Sequence, residues 1–371
     1  MKRAINLSHP QPKPGILGIE AYVPGANKTF FTGKTYKLSS NESPFNPPQS
    51  VINAYLDVAK NLATYPKGDS FGLRQAIAQT LRLSVDNILI GNGSDELLSL
   101  LAQAYLAAGD EGIMTEHGFS VYEINIRGAG GIVRKVKESN CRISTQAILD
   151  AVSDRTRIIF IANPGNPTGT YLKRVEIADL IAKLPPHILV VLDGAYAEFV
   201  DCADFDAGKE FVEKFQNVVM TRTFSKIYAL AGLRIGWMYA PSPIIDAVNR
   251  IRCAFNVNSA AQAAAAAAVR DSDFLTMAKS HNKKWRDWLS NEIEKIGLIV
   301  TPSVTNFLLI HFSGSGKTAH DADRYLNSKG FILRRVDGYG FPNSLRLSIG
   351  SEEANRGVVA ALKNFLANTD V

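Results

Sequence analysis

The chain reads as an α/β protein whose large domain is built on a mostly parallel sheet and is followed by a smaller α/β domain. Two observations predict this. Apolar runs of strand length, among them NILIG, RIIFIA, HILVVLD and NVVMT, each break into a turn rich in Gly, Pro or Ser, and helical periodicity follows. That order is expected of parallel strands buried on both faces and joined by helices. Strand and helix signals then alternate again in a shorter C-terminal stretch, and 371 residues exceed an average single domain. The expected boundaries are an N-terminal arm over 1–35, a large domain over 36–255 and a small C-terminal domain over 256–371 that packs with the arm.

Composition narrows the class. A hydrophobic content of 46% is ordinary for a protein that can bury a full core. Cys141, Cys202 and Cys253 are widely spaced and odd in number, which predicts neither a disulfide framework nor a zinc site and favours a reducing compartment. The start, MKRAINLSHPQPKPG, lacks an apolar core of signal length, and no run approaches a membrane span, so the expected location is cytoplasmic. A net charge of +6 raises nucleic-acid binding as a rival, yet a positive field equally suits an enzyme for phosphorylated or carboxylate substrates. The densest basic cluster, KKWR at 283–286, falls where Trp285, Leu289, Ile293 and Ile296 recur at helical spacing. It reads as the solvated face of an amphipathic helix.

In chain order, the turn-like YVPG at 22–25 lies within the arm and KLSSNESPFNPP runs from a short strand into a Pro-punctuated loop holding Asn41. Helix, loop and helix follow to about residue 83, with Tyr65 in the loop, exposed enough to reach another molecule. The stretch NILIGNGSDELLSLLAQAYL goes from strand to glycine turn to amphipathic helix. Free N–H groups of Gly93, Ser94, Asp95 and Glu96 at such a helix start can cradle a phosphate, although an ordinary capped helix with Ser94 or Asp95 as cap would read the same way. The third glycine of a dinucleotide fingerprint is absent, because Glu96 stands there. Phe119 and Tyr122 lie just past the next strand end, where a ring can stack on a flat ligand or simply pack in the core.

Two more strand ends carry polar residues. NPGNPTG fixes its backbone with prolines and glycines and presents Asn166, and ILVVLDGAY delivers Asp193 with Tyr196 just beyond. A carboxylate ending so apolar a run needs a partner, since an unpaired buried charge is expensive. The fourth end is TFSKIYALAGLRIGW, in which Lys226 is flanked by Thr223 and Ser225 and followed by Arg234. An amine beside hydroxyls and an arginine suits a phosphate-bearing aldehyde: the amine can form a Schiff base while the others hold the phosphate. In the C-terminal region SGSGKT imitates a phosphate-binding loop, but His311 occupies the place of its first glycine, so nucleotide binding is not expected.

Taken in order, SNESP, GNGSDE, NPTG, LDGAY, SKIYALAGLRIGW and LRLSIG make the chain resemble the fold type I pyridoxal-phosphate-dependent aminotransferases over nearly its whole length. Within them it looks most like the histidinol-phosphate aminotransferases. The resemblance implies a seven-stranded sheet in the large domain, pyridoxal 5'-phosphate as cofactor and a homodimer with shared active sites. It further implies that Lys226 holds the cofactor covalently and moves the substrate proton, that Asp193 pairs with the pyridine nitrogen, and that Asn166 and Tyr196 bond the ring's phenolic oxygen. Ser94, Asp95, Glu96, Thr223, Ser225 and Arg234 would surround the phosphate, with Tyr65 arriving from the other subunit. Phe119 takes the ring-stacking place where tyrosine is more usual. Arg346 matches the arginine for the substrate carboxylate, Arg334 that for the substrate's own phosphate, and Tyr22, Asn41 and Asn166 would line the same pocket. Arg335 stands where the family pattern has proline. The implied reaction is amino-group exchange between histidinol phosphate and 2-oxoglutarate, with an aromatic aminotransferase or a threonine-phosphate decarboxylase as rivals.

Overall fold

A computed structural model of the chain describes residues 10, 12–26 and 31–367. Most of the start MKRAINLSHPQ, and with it the reading of a missing signal sequence, lies outside the described residues, as do residues 27–30 of the arm and residues 368–371. No described helix is long and apolar enough to cross a membrane.

Seven strands form the main sheet: β1 (Ile88–Gly91), β2 (Glu111–Thr115), β3 (Ile132–Val136), β4 (Thr156–Ala162), β5 (Leu189–Asp193), β6 (Val218–Thr223) and β7 (Gly236–Tyr239). Their order is β1-β7-β6-β5-β4-β2-β3. All neighbours run parallel except β7, which is antiparallel to both β1 and β6. The expected sheet, mostly parallel and seven-stranded, is thus observed. Its central strands are apolar without alternation because helices cover both faces. One face packs Ile159, Ile161, Val190 and Leu192, and the other Ile158, Phe160, Leu189 and Val191.

The alanine-rich segment forms the helix Ser259–Ala268, opened by Asn258, whose side chain accepts from the Ala261 N–H at 2.7 Å. Ala261, Ala264, Ala265 and Ala268 are buried in the same core as Val51 of the helix Gln49–Val58. Small side chains let the two backbones close on each other. The long helix Ser272–Lys295 runs from one core to the next. Ala278 packs with the main sheet, whereas Trp285, Leu289 and Ile293 pack with the C-terminal sheet, leaving the KKWR charges on the other side.

That second sheet comprises β8 (Ile299–Thr301), β9 (Phe307–His311), β10 (Arg334–Arg335) and β11 (Ser344–Ser348), in the order β8-β9-β11-β10 and antiparallel throughout. Helices Ala319–Ser328 and Glu352–Ala367 pack on it. Tyr36–Lys37 pairs in parallel with Phe331–Ile332, and the Leu38 carbonyl accepts from Ser348 N–H at 2.9 Å. Residues 36–41 therefore run along the C-terminal sheet and end between the two sheets. The C-terminal ends of β4, β5 and β6 open onto the same place.

Candidate active site

Parallel sheets leave a crevice beyond the carboxyl ends of their strands, and ligands bind there. Here the crevice is a cavity bounded by the ends of β4, β5 and β6, the start of the helix Gly93–Tyr105, segment 39–42, the arm at 22–25 and the edge of the C-terminal sheet. Every side chain named above from sequence as a site candidate lines it except those of Tyr65 and Glu96.

Asp193 ends β5, held in register between Ala162 of β4 and Thr221 of β6. The Tyr122 hydroxyl donates to Asp193 Oδ2 at 2.7 Å and Thr221 Oγ1 donates to Oδ1 at 3.1 Å. Burial outweighs these bonds and raises the carboxyl pKa to about 6. Tyr122 is fixed in turn by stacking on Phe160, with ring centroids 5.1 Å apart. Lys226 projects from the turn after β6 into the cavity, with its amine 3.3 Å from the Ser40 carbonyl and 5.7 Å from the Tyr196 ring centroid. Desolvation, with Arg346 nearby, lowers its pKa to about 8. Near physiological pH a far larger fraction of such an amine is neutral than of an ordinary lysine, and the neutral form is the nucleophile.

An anion cradle lies at one end. Gly93 opens the helix Gly93–Tyr105 at φ +80°, a conformation that favours glycine, and a Cβ there would come within 2.8 Å of an Arg234 nitrogen. Gly236 has no room for a side chain either, because its Cβ would fall 2.4 Å from the Ser94 nitrogen. The helix start thus presses directly on β7. Arg234 reaches over it, donating to Ser225 Oγ at 3.3 Å and to Asp95 Oδ2 at 3.2 Å. Free N–H groups, hydroxyls and a guanidinium converge there as an oxyanion requires.

Cations occupy the opposite end. Arg346, only 5% exposed, donates to Asn166 Oδ1 at 2.5 Å and to the Ser39 carbonyl at 2.8 Å, while its Nε is buried without a partner. Among the described residues Arg334 bonds only the Val23 carbonyl of the arm, at 2.7 Å. Alternation along β10 turns Arg335 away, and it pairs with Asp337 at 2.7 Å outside the cavity. The departure at Arg335 therefore leaves the cavity wall untouched. Tyr22 packs edge-on to Phe119 at 6.2 Å, closing one side with aromatic surface.

The two absent candidates have physical explanations. Glu96 turns its carboxylate back to the Asn92 N–H at 2.5 Å and to Asn256 at 2.6 Å, acting as a cap for its helix instead of Ser94 or Asp95. Tyr65 is 78% exposed on the protein surface, stacked on Phe255 at 4.7 Å. Asn41 does line the cavity, but its polar atoms bond Tyr196, Ser348 and Asn306 within the chain. Sequence reasoning gave no role to Ser39, Ser40 or Tyr339, all in the wall. The local signal was that Ser40 opens SNESP with Ser39 just before it, and that Tyr339 sits in the turn-like GYGFP at 338–342.

A lysine, a buried aspartate, an anion cradle and two further arginines in one crevice define a cofactor-dependent transferase site, and comparison with known proteins agrees. The family model for aminotransferase class I and II matches residues 34–362, and the chain belongs to that family. Histidinol-phosphate aminotransferase of Rhodopseudomonas palustris (strain BisB18) is 49% identical over 363 residues, covering 97% of this chain and 100% of its own length. That of Nitrobacter winogradskyi is 48% identical, covering 98% and 100%. Among solved structures, histidinol-phosphate aminotransferase of Sinorhizobium meliloti in complex with pyridoxal-5'-phosphate superposes with a TM-score of 0.87 at 27% identity, over 97% of this chain and 98% of that one.

Proposed function

We propose that the protein is a homodimeric, cytoplasmic aminotransferase that exchanges an amino group between histidinol phosphate and 2-oxoglutarate in histidine biosynthesis, with pyridoxal 5'-phosphate as its cofactor. The observation that carries the substrate is the pair Arg334 and Arg346. Both face the cavity, and neither has a carboxylate partner among the described residues. A substrate whose phosphate oxygens the two guanidiniums can share fits this end. Full-length likeness to histidinol-phosphate aminotransferases supports the same choice.

The residues present fit the cofactor. A cradle shaped by two glycines and Arg234 matches its phosphate, a buried carboxylate faces the cavity for its ring nitrogen, and an amine of lowered pKa meets its aldehyde. Bound there, pyridoxal 5'-phosphate supplies an electrophilic carbon and a ring that accepts electrons from the substrate. The chain does the rest. Lys226 would hold the cofactor through its amine and would take the proton from substrate Cα as a general base. Asp193 would keep the ring nitrogen protonated, and the bonds from Tyr122 and Thr221 hold the carboxylate in place. Asn166 and Tyr196 would bond the phenolic oxygen, and Phe119 would stack on the ring. Ser94, Asp95, Thr223, Ser225 and Arg234 would hold the phosphate.

Arg346 receives a carboxylate of glutamate and shares the phosphate of histidinol phosphate with Arg334, through a planar fork that lysine lacks. Arg334 takes the phosphate, and Tyr22 covers the imidazole. Tyr65 would belong to the partner's phosphate site, a role supported by its exposure while stacked on Phe255, with Tyr55, Leu56 and Leu62 also exposed in the segment just before it.

The test uses three donors offered separately to the loaded enzyme: histidinol phosphate, phenylalanine and threonine phosphate. Stoichiometric conversion of the cofactor to its amine form by histidinol phosphate, at a kcat/KM well above that for phenylalanine and without carbon dioxide release, supports the assignment. Preference for phenylalanine, or carbon dioxide from threonine phosphate, would replace it.

A further inference from the structure

Asn41 is held by more bonds than a cavity-lining asparagine needs. It is 1% exposed at φ +55°, a left-handed conformation that asparagine and aspartate tolerate better than most residues. Its N–H donates to Ser348 Oγ at 2.8 Å, and Ser348 Oγ donates back to Asn41 Oδ1 at 3.1 Å. Its carbonyl accepts from Asn306 Nδ2 at 3.0 Å, and its own Nδ2 donates to the Tyr196 hydroxyl at 2.8 Å.

The sense of each bond follows from the one before. A backbone N–H can only donate, so Ser348 oxygen accepts there and its single proton must go elsewhere. Asn41 Oδ1 takes it. That turns the amide so that Nδ2 faces Tyr196. Reversing the amide would leave the buried Ser348 proton without this acceptor and place two donors on one oxygen. Because the Tyr196 oxygen already receives Nδ2, its proton is free to leave in another direction, and the cavity lies there.

We infer that Asn41, oriented by Ser348, is a positioning residue that makes the Tyr196 hydroxyl a hydrogen-bond donor to the cofactor's phenolic oxygen. The inference rests on the role given to Tyr196 under the proposed function. It ties the setting of the hydroxyl to β11, the strand that also carries Arg346, so the C-terminal sheet holds both the substrate's anion and the polarity of the cofactor's nearest phenol.

The readout is the pH midpoint of the visible spectrum of the lysine-bound cofactor, titrated without substrate. A donor on the phenolic oxygen stabilises negative charge there most when the neighbouring nitrogen is unprotonated, so losing the donor raises the midpoint. Asn41→Asp keeps the size and the backbone conformation but offers Tyr196 an acceptor, which draws its proton out of the cavity. The charged groups around Tyr196, namely Arg346, Asp193, Asp95 and Lys226, stay in place.

Tyr196→Phe and Asn41→Asp are each expected to raise the midpoint by about one pH unit, a tenfold change in proton affinity. The double variant should go no higher than Tyr196→Phe alone, because both act through one hydroxyl. An unchanged midpoint in Asn41→Asp, or a full additive shift in the double variant that marks the new charge as the cause, overturns the inference while leaving the role of Tyr196 standing. No shift in Tyr196→Phe removes that role and the inference with it. Should Asn41→Asp fail to fold or to take cofactor, Ser348→Ala carries the test. A smaller rise in the same direction supports the relay, and an unchanged midpoint overturns it.

Discussion

Arg334 and Arg346 stand directly opposite each other across the antiparallel pair β10 and β11, both at the cavity and neither compensated by a carboxylate among the described residues. Like charges in directly opposed positions destabilise a strand pair, so the arrangement is favourable only when anions arrive. On the proposed function, the C-terminal sheet would be the receptor for the substrate's anion.

Removing one arginine should discriminate between donors. Truncating one partner of a charged hydrogen-bonded pair costs about 3 kcal/mol, or roughly a hundredfold. Arg334→Ala is expected to lower kcat/KM for histidinol phosphate by about that factor and for phenylalanine by less than about tenfold. Equal losses for both donors would take the phosphate role away from Arg334.

Lys226 should be a reactive amine before any cofactor is present. Its lowered pKa, about 8 against an ordinary value of 10.5, leaves half the amine neutral at pH 8. Labelling of the cofactor-free enzyme with an amine-directed reagent, followed by peptide mapping, should show a midpoint near 8 at Lys226 and near 10.5 at exposed lysines. A common midpoint would show that the cavity does not tune this amine.

Asp193 trades stability for function. Its folded pKa of about 6 lies above the ordinary 3.8, so the folded state holds the extra proton and this contribution is fully present below 3.8 and lost as pH rises through 6. Between pH 4.5 and 7 the loss is about 2 kcal/mol. Asp193→Asn, which does not titrate, should gain that amount over the wild type across the interval in denaturant unfolding of the cofactor-free protein, while its proton-transfer step slows in single-turnover spectra. Parallel pH curves for the two proteins would contradict the burial of this charge.

Tyr65 tests sharing between subunits. Mixing inactive Lys226→Ala with Tyr65→Ala, at cofactor concentrations where the latter stays unloaded, creates dimers with one intact site if Tyr65 acts across the interface. Activity should recover to about one quarter of the wild-type level after random exchange. No recovery would place Tyr65 in its own subunit's site or in none.

What the sequence made legible follows from range. Buried strands are apolar runs, so their ends could be located, and the polar residues at those ends, Asn166, Asp193 and Lys226, were readable in place. Turn chemistry did the same for Gly93 and Ser94. Contacts between distant segments were not readable: Asn166 with Arg346, Ser40 with Lys226 and Tyr122 with Asp193 depend on how the two sheets meet. Glu96 was misplaced for a local reason, since a helix start leaves open which of its acidic or hydroxyl residues folds back to cap it.

The most direct measurement is reduction of the loaded enzyme with borohydride, followed by peptide mapping. The account predicts a single stable pyridoxyl adduct, on Lys226, and none in Lys226→Ala, which should also lose visible absorption and turnover. An adduct on any other lysine, or turnover retained by Lys226→Ala, would contradict it.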